Sequence, residues 1–518
     1  MKTLRYIAAA AALVIGMSSC VKDLDVVPID PNLNTADKAL TTPDDYFALL
    51  AQCYAGFAVS GSYGPDGNNN ISGIDGGFSQ YYRGRYHLNG LTTDEAICNW
   101  NDQTIQDLHG MSWTTSDVYI TAYYYRIAYQ IAACNEFIRQ ANKATIDLPE
   151  KARWIAEARA LRALCWLDAI DNFGGFPYAD ENNSVGAAAP QYRDRVSLFS
   201  YVESECRALL DGNDLYDYGQ GDYGRVNKGM VAMVLGKLYL NAEVYIGTPK
   251  YKECADVLKP LEGKYKLHTE KHGSVAANSA YQELFLADND KCTDEFIFVV
   301  EQNGKNTASY GVTSYLVFAS TGGTMDVSSV GIASGWGGIR TTPSFYRMFS
   351  DDDQRKLFWT DGQTEEIDNV SDFSNGIAFF KFKNLTSNGE PGTEKGFVDI
   401  DFPVFRYADA LLMLAECELK GVSCGGKDAF DAVRARAGLQ PVALDEKNLL
   451  EERGRELFQE GWRRSDLIRF GKFTSDSFLW QWKGGLKDGQ GVPAHLALFP
   501  IPDSDRYANT NLVQNPGY

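Results

Sequence analysis

From Trp154 onward, apolar residues recur at Ala158, Leu161, Cys165 and Ala169, a spacing that lays them along one face of an α-helix. The run ends at Asn172, Phe173, Gly174 and Gly175, where a glycine can enter the left-handed conformation that closes a helix. The same kind of face returns in Ala408, Leu411, Leu412, Ala415 and Leu419, followed by Gly421. Further helical patterns occupy 117–140, 198–210, 228–242, 251–258, 427–437 and 449–460. A helix with one apolar stripe must bury it against a neighbour, so paired helices with short glycine-containing turns have to stack. The expected fold class is mainly α: a tetratricopeptide-like helix-turn-helix scaffold, although no self-similarity is visible at that repeat's length of about 34 residues.

Between 299 and 402 the character changes to Gly, Ser, Thr and aromatic residues, with short strand-like runs at 296–300 and 377–382. A loop-rich, partly β insertion in a compact protein usually carries function, and here it is expected to carry the ligand site. The second irregular stretch is 59–91, rich in Gly and Asn. The expected organisation is a signal peptide at 1–19 and a lipidated tether at 20–42. A helical scaffold follows at 43–298 with a binding loop at 59–115, then the insertion at 299–402, and 403–518 returns to the same helical domain.

The start of the chain reads as an export signal. Lys2 and Arg5 precede an apolar stretch at 6–16 that is too short to span a bilayer, and Ser18 and Ser19 lead into Cys20. This resembles a bacterial lipobox, with Met17 where many such boxes have Leu, and it marks Cys20 for lipidation; an ordinary secretory peptide is the alternative. Acyl chains on Cys20, palmitate among them, would hold the protein at a membrane without a transmembrane helix. The other nine cysteines include no CxxC pair, and several sit inside apolar helical patterns, so most are expected to be buried thiols.

Composition narrows the function. Of 518 residues, 44% are hydrophobic and 23% charged, which excludes disorder for the bulk of the chain. A formal charge of −19 would repel a nucleic acid backbone. The 9 Trp, 29 Tyr and 27 Phe supply flat faces suited both to cores and to exposed contact surfaces. No GxSxG elbow is present, and the near phosphate loop at 421–427 is followed by Asp428 rather than by Ser or Thr. Five histidines, His87, His109, His268, His272 and His495, make no HExxH, and His268 and His272 follow a Lys-rich turn, so a zinc site is not expected. Asp288, Asp290, Asp399 and Asp401 offer hard oxygen ligands, but without EF-hand order solvated loop carboxylates are the simpler reading. Nothing points to catalysis, although paired carboxylates for glycoside hydrolysis remain available among 68 acidic residues.

The segment Glu452-Arg453-Gly454-Arg455-Glu456-Leu457, with Glu460-Gly461 and Arg463-Arg464-Ser465-Asp466-Leu467, resembles the signature of the SusD/RagB family of surface glycan-binding lipoproteins. Physically it is a helix of alternating acids and bases, best read as a structural ion-pair lattice. Arg159-Ala160-Leu161-Arg162-Ala163 leading to Phe173-Gly174-Gly175-Phe176-Pro177, the run Phe405-Arg406-Tyr407-Ala408-Asp409, and Gln514-Asn515-Pro516-Gly517-Tyr518 extend the match over nearly the whole mature chain. Asp23-Leu24-Asp25, Tyr239-Leu240-Asn241-Ala242, Leu284-Phe285-Leu286-Ala287-Asp288 and Trp482-Lys483-Gly484-Gly485 bring it closest to the starch-binding members.

The resemblance implies a non-catalytic outer-membrane lipoprotein that faces the cell exterior. Such a protein binds starch or a related α-glucan and hands it to a TonB-dependent, SusC-like transporter. It also implies an aromatic arc of Trp100, Tyr310 and Trp336, with Arg83 and the amide of Gln103 bonding to sugar hydroxyls, and calcium held structurally by Asp290, Asp399 and Asp401. Two residues depart from the starch-binding pattern: Gln103 replaces Asn, and Cys98 stands where another Trp is found. Core packing is the alternative for each Trp. Two other readings stay open, a different polysaccharide on the same scaffold and an unrecognised glycosidase.

Overall fold

The computed structural model describes residues 36–65, 67, 69–183 and 188–518. The expected signal peptide, Cys20 and most of the tether lie outside the described residues. The principal helices are α1 (Pro43–Ala58), α2 (Tyr81–Asn89), α3 (Val118–Lys143), α4 (Lys151–Phe173), α5 (Arg195–Asp211), α6 (Lys228–Leu240) and α7 (Tyr251–Leu258). After the insertion come α8 (Tyr407–Leu419), α9 (Gly426–Arg436) and α10 (Glu446–Leu457). Local chemistry sets their starts. Thr42 and Asp45 form a reciprocal capping box ahead of α1, Asp117 accepts from the amides of Tyr119 and Ile120 at 2.9 Å, and Asn227 caps α6. At the end of α4 the glycine turn is present, with Gly174 at a φ of +72°.

Each helix packs on the next: α1 on α3, α3 on α4, α4 on α5, α5 on α6, α6 on α7, α7 on α8, and α8 on both α9 and α10. This is a tetratricopeptide-like stack; α3 to α10 fall within a few residues of the periodic segments, whereas α1 has no counterpart among them and α2 lies inside the stretch 59–91 that reads as irregular. Helix α4 differs from a one-sided amphipathic helix because it is buried well beyond its apolar face. Asp168 meets Arg85 at 3.1 Å and Glu157 meets Arg225 at 2.6 Å, so its polar side is neutralised inside the protein rather than solvated. Of the nine described cysteines, eight are buried and none forms a disulfide. No helix among the described residues is long and apolar enough to cross a membrane.

The stack jumps from α7 to α8 across the insertion. The chain leaves along the strand Phe296–Val300 and returns along Phe402–Arg406; these strands pair antiparallel, with Val300 opposite Phe402, and both are buried throughout. A mostly irregular excursion of 301–401 is thereby pinned at both ends to one point of the scaffold. Inside it, a small antiparallel sheet runs in the order Ile97–Cys98, Ile339–Thr341, Ile377–Phe379, Phe358–Trp359. Its first strand comes from the segment 59–115, so the two regions share one sheet.

The charged C-terminal motif is a structural lattice, and it is buried. Glu456 on α10 accepts from Arg406 at 2.8 Å and from Arg355 at 3.1 Å, with Arg436 also bonded to it. Glu295 bridges Arg406 and Arg436 at 2.6 and 2.9 Å, while Glu460 holds Arg406 at 2.7 Å and Lys381 at 2.8 Å. Burial raises the cost of charge on Glu456, but Arg436, Arg406 and Arg355 outweigh it and hold its carboxyl far below the usual range. A second group places Asp466 between Arg453 at 2.9 Å and Arg469 at 2.8 Å; these cations lower it to about 2 against burial.

Removing one member of such a lattice strands its partners in a dry site. Glu456→Gln is expected to destabilise the protein by about 3–5 kcal/mol, measured by denaturant unfolding. A loss below about 1 kcal/mol, the range of a surface pair, would show that water reaches the cluster.

Candidate functional site

Trp100 follows the strand Ile97–Cys98, and Trp336 lies just before Ile339–Thr341, its antiparallel neighbour with Cys98 opposite Ile339. The pairing continues one bond further, from the Asn99 amide to the Gly338 carbonyl at 3.1 Å, and brings the two indoles together at 6.3 Å between centroids with planes inclined by 51°. A Cβ at Gly338 would come within 2.6 Å of the Trp100 indole, so only glycine admits this approach. The Trp336 loop is tied to the end of the helix Val312–Ser320. The amides of Trp336, Gly337 and Gly338 donate to the carbonyls of Phe318, Thr321 and Ala319 at 2.7–2.8 Å, satisfying groups that a helix terminus leaves open.

Tyr310 precedes that same helix. Its ring stands 5.8 Å from Trp336 at 69° and 5.4 Å from Phe397. Trp100, Tyr310 and Trp336 are all partly exposed, so three non-parallel faces converge at one surface. A Cβ on Gly311 would meet Gln80 at 2.3 Å, and Gln80 Oε1 accepts from the amides of both Arg83 and Val312, which locks the Tyr310 turn onto the start of α2.

Beneath the rings lies Arg83, only 8% exposed. Its guanidinium carbon is 4.4 Å from the Tyr315 ring centre and about 6 Å from those of Trp100 and Trp336. Its Nη1 donates to the carbonyls of Gly77 and Tyr310 at 2.8 and 2.9 Å. In this arrangement Arg83 props the platform from below and turns donors toward the backbone. His87 stacks on Tyr119 at 4.3 Å; burial, with help from Arg83, depresses its pKa, so it sits neutral in the floor. Gln103 opens the helix Gln103–Gly110 three residues after Trp100, is exposed, and donates to Asp107 at 2.9 Å.

The structure thus gathers Arg83, Trp100, Tyr310 and Trp336 and leaves Gln103 beside them without a direct contact to the rings. Sequence reasoning missed Tyr315 beneath Arg83 and Phe397 against Tyr310. Tyr315 lies five residues after Tyr310 in a run already marked as irregular, whereas Phe397 has no local signal.

The three aspartates are placed less tightly. Asp401 is buried and accepts from the Gln302 amide at 2.7 Å and from Tyr223 Oη at 2.8 Å; burial, with the charges of Glu301 and Asp290, pushes its carboxyl up to about 7. Asp399 accepts from the Gly304 amide and from Thr393, and Asp290 is exposed on the turn Asn289–Lys291. Among the described residues, the three side chains whose ligand atoms all lie within 4.8 Å of one another are instead His268, His272 and Cys292.

Residues 353–518 match the SusD family model. The starch-binding protein SusD of Bacteroides thetaiotaomicron is 30% identical over 575 aligned positions, which take in 100% of this chain and 99% of that protein. Surface glycan-binding protein A of the same organism, solved with laminarihexaose, superposes with a TM-score of 0.69 at 18% identity, over 92% of this chain and 100% of that one. A SusD superfamily protein from Parabacteroides distasonis gives 0.70 at 20% identity over the same shares. With a relative at that identity over its full length, the chain belongs to the SusD family of non-catalytic glycan-binding proteins.

Proposed function

We propose that this protein binds starch or a related α-glucan oligosaccharide at the outer cell surface and passes it to a TonB-dependent transporter. The observation that carries the reading is the convergence of Trp100, Tyr310 and Trp336 as three partly exposed, mutually inclined rings. Sugar rings present C–H faces that pack on aromatic faces, releasing water and gaining dispersion contacts, and inclined planes suit a ligand that curves. The exposed Gln103 offers an amide as a hydroxyl partner. Arg83, turned inward here, holds the Tyr310 carbonyl through Nη1. The full-length relative named for starch favours an α-glucan. A relative of the same fold bound to laminarihexaose supports the second reading, another polysaccharide on the same scaffold.

The surface location rests on Cys20 as the lipidated residue. Calcium at Asp290, Asp399 and Asp401 belongs to the same reading, although among the described residues their ligand atoms do not all gather within 4.8 Å, so an ion would have to draw them together. Asp401 is a buried carboxylate crowded by the like charges of Asp290 and Glu301, and none of these forms a salt bridge among the described residues. Hard oxygen donors of this kind suit Ca²⁺, which would relieve that repulsion and hold the two strand ends of the insertion.

Trp100→Ala or Trp336→Ala is expected to weaken starch binding by about tenfold, or about 1.4 kcal/mol, in affinity electrophoresis. The melting temperature should stay nearly unchanged for at least one of them. Loss of about 3–5 kcal/mol of stability together with binding would mark the rings as core instead. Unchanged binding in the Trp100, Tyr310 and Trp336 triple mutant would eliminate the platform, and a panel of polysaccharides in the same gels distinguishes α-glucan from the second reading.

For the metal, chelation should lower the melting temperature and added Ca²⁺ should restore it. Identical melting curves with and without chelator would remove calcium from the account.

If Cys20 anchors the protein, Cys20→Ser releases it from the membrane fraction. Retention through ordinary washing would refute lipid anchoring at that residue.

A further inference from the structure

The spacing of the histidines alone does not predict zinc, because the third partner arrives from elsewhere in the chain. His268 and His272 lie on the irregular segment after Tyr265, and Cys292 follows the turn Asn289–Lys291. The fold closes these segments on each other. Cys292 Sγ is 3.7 Å from His268 Nε2 and 3.5 Å from His272 Nε2, and the imidazole centres are 4.6 Å apart. Glu283 Oε2 stands 3.5 Å from His268 Nε2.

These separations have a physical meaning. With Zn–S near 2.3 Å and Zn–N near 2.05 Å, a tetrahedral ion separates sulfur from nitrogen by about 3.6 Å, and nitrogen from nitrogen or oxygen by about 3.4 Å. The observed sulfur–nitrogen distances of 3.7 and 3.5 Å fall on that pattern. His268 Nδ1 lies 3.1 Å from Asp294 Oδ1. A proton on Nδ1 bonded to that carboxylate leaves Nε2 with its lone pair facing sulfur, the carboxylate–histidine arrangement that orients metal ligands. A thiol has one proton, yet two imidazole nitrogens converge on it. His268 and Cys292 are buried while His272 is exposed, so the group is dry on one side and has an entry path on the other.

We propose that His268, His272 and Cys292 form a zinc site. The protein supplies three ligands, and the fourth position faces the exposed His272 side, where water completes the tetrahedron. Two imidazoles and a thiolate select a borderline-soft ion such as Zn²⁺ over Ca²⁺ or Mg²⁺. Binding releases the Cys292 proton to solvent, with no change of oxidation state. The ion would clamp the 266–274 segment against the turn before the strand Phe296–Val300. That clamp reaches the ion-pair lattice, since the His268 amide donates to Glu295 Oε2 at 2.7 Å.

The test is a titration of the metal-stripped full protein with Co²⁺, in excess Ca²⁺ so that the aspartates do not contribute. One equivalent should bind, with the intense thiolate-to-cobalt absorption of a tetrahedral sulfur-containing site. Zn²⁺ should displace the Co²⁺ and raise the melting temperature. Cys292→Ser should abolish the absorption. His272→Ala, at an exposed position where folding is safe, should weaken binding at least tenfold, and Asp294→Asn by about 10–100-fold. Absence of stoichiometric binding, Co²⁺ bound without the sulfur absorption, or undiminished affinity in His272→Ala would each overturn the site.

Discussion

Arg406 ends the strand that closes the insertion, and its guanidinium is shared by Glu295, Glu456 and Glu460 with no exposure to solvent. Most of the architecture is hung on that shared charge. Glu295 sits at the root of the outgoing strand, Glu456 and Glu460 belong to the C-terminal motif, Arg436 ends α9, and Arg355 and Lys381 come from inside the insertion. Replacing a buried ion pair with apolar residues can be neutral, so the lattice is a poor source of net stability. Its stronger effect is on alternatives. Any packing of the insertion that failed to return these groups to one another would bury several uncompensated charges.

The aromatic platform inherits its rigidity from the same source. Asp94, in the turn ahead of Ile97–Cys98, takes a two-pronged contact from Arg463 at 2.6 and 2.8 Å, and Glu95 accepts from the Gln459 amide at 2.9 Å. The strand carrying Trp100 is therefore fastened to the C-terminal motif, and the strand following Trp336 is fastened to it in turn by ladder hydrogen bonds. Rings held this way lose little freedom when a sugar docks, so more of the contact energy appears as affinity.

What was legible in the sequence follows from range. The helix of Trp154, Ala158, Leu161 and Cys165 is a local pattern whose period and closing glycine depend on residues a few positions apart, and α4 appears where that pattern lies. The acid–base alternation at 452–469 was legible as a lattice, but its partners Glu295, Arg355 and Arg406 were not, because pairing across 50 to 111 residues leaves no spacing to read. Trp100 and Trp336 were reachable through family resemblance alone, since only the strand pairing at Cys98 and Ile339 explains why residues 236 apart touch. The inward turn of Arg83 could not be read at all: a stretch rich in Gly and Asn gives no warning that it ends in the buried helix α2, whose arginine lies among the rings of Trp100, Tyr315 and Trp336.

The short segment from Asp288 to Glu295 concentrates these constraints. Asp290 offers a hard oxygen ligand, Cys292 a soft sulfur, Asp294 orients His268, and Glu295 enters the charge lattice, after which the chain becomes the buried strand Phe296–Val300. Ligand hardness keeps the two ion preferences apart although the residues are nearly adjacent. All four groups act at the root of the insertion rather than at its aromatic surface. A cation at either position would therefore change how firmly the arm is held without touching the face offered to a glycan, and it would reach recognition only through the rigidity that the lattice lends to the platform.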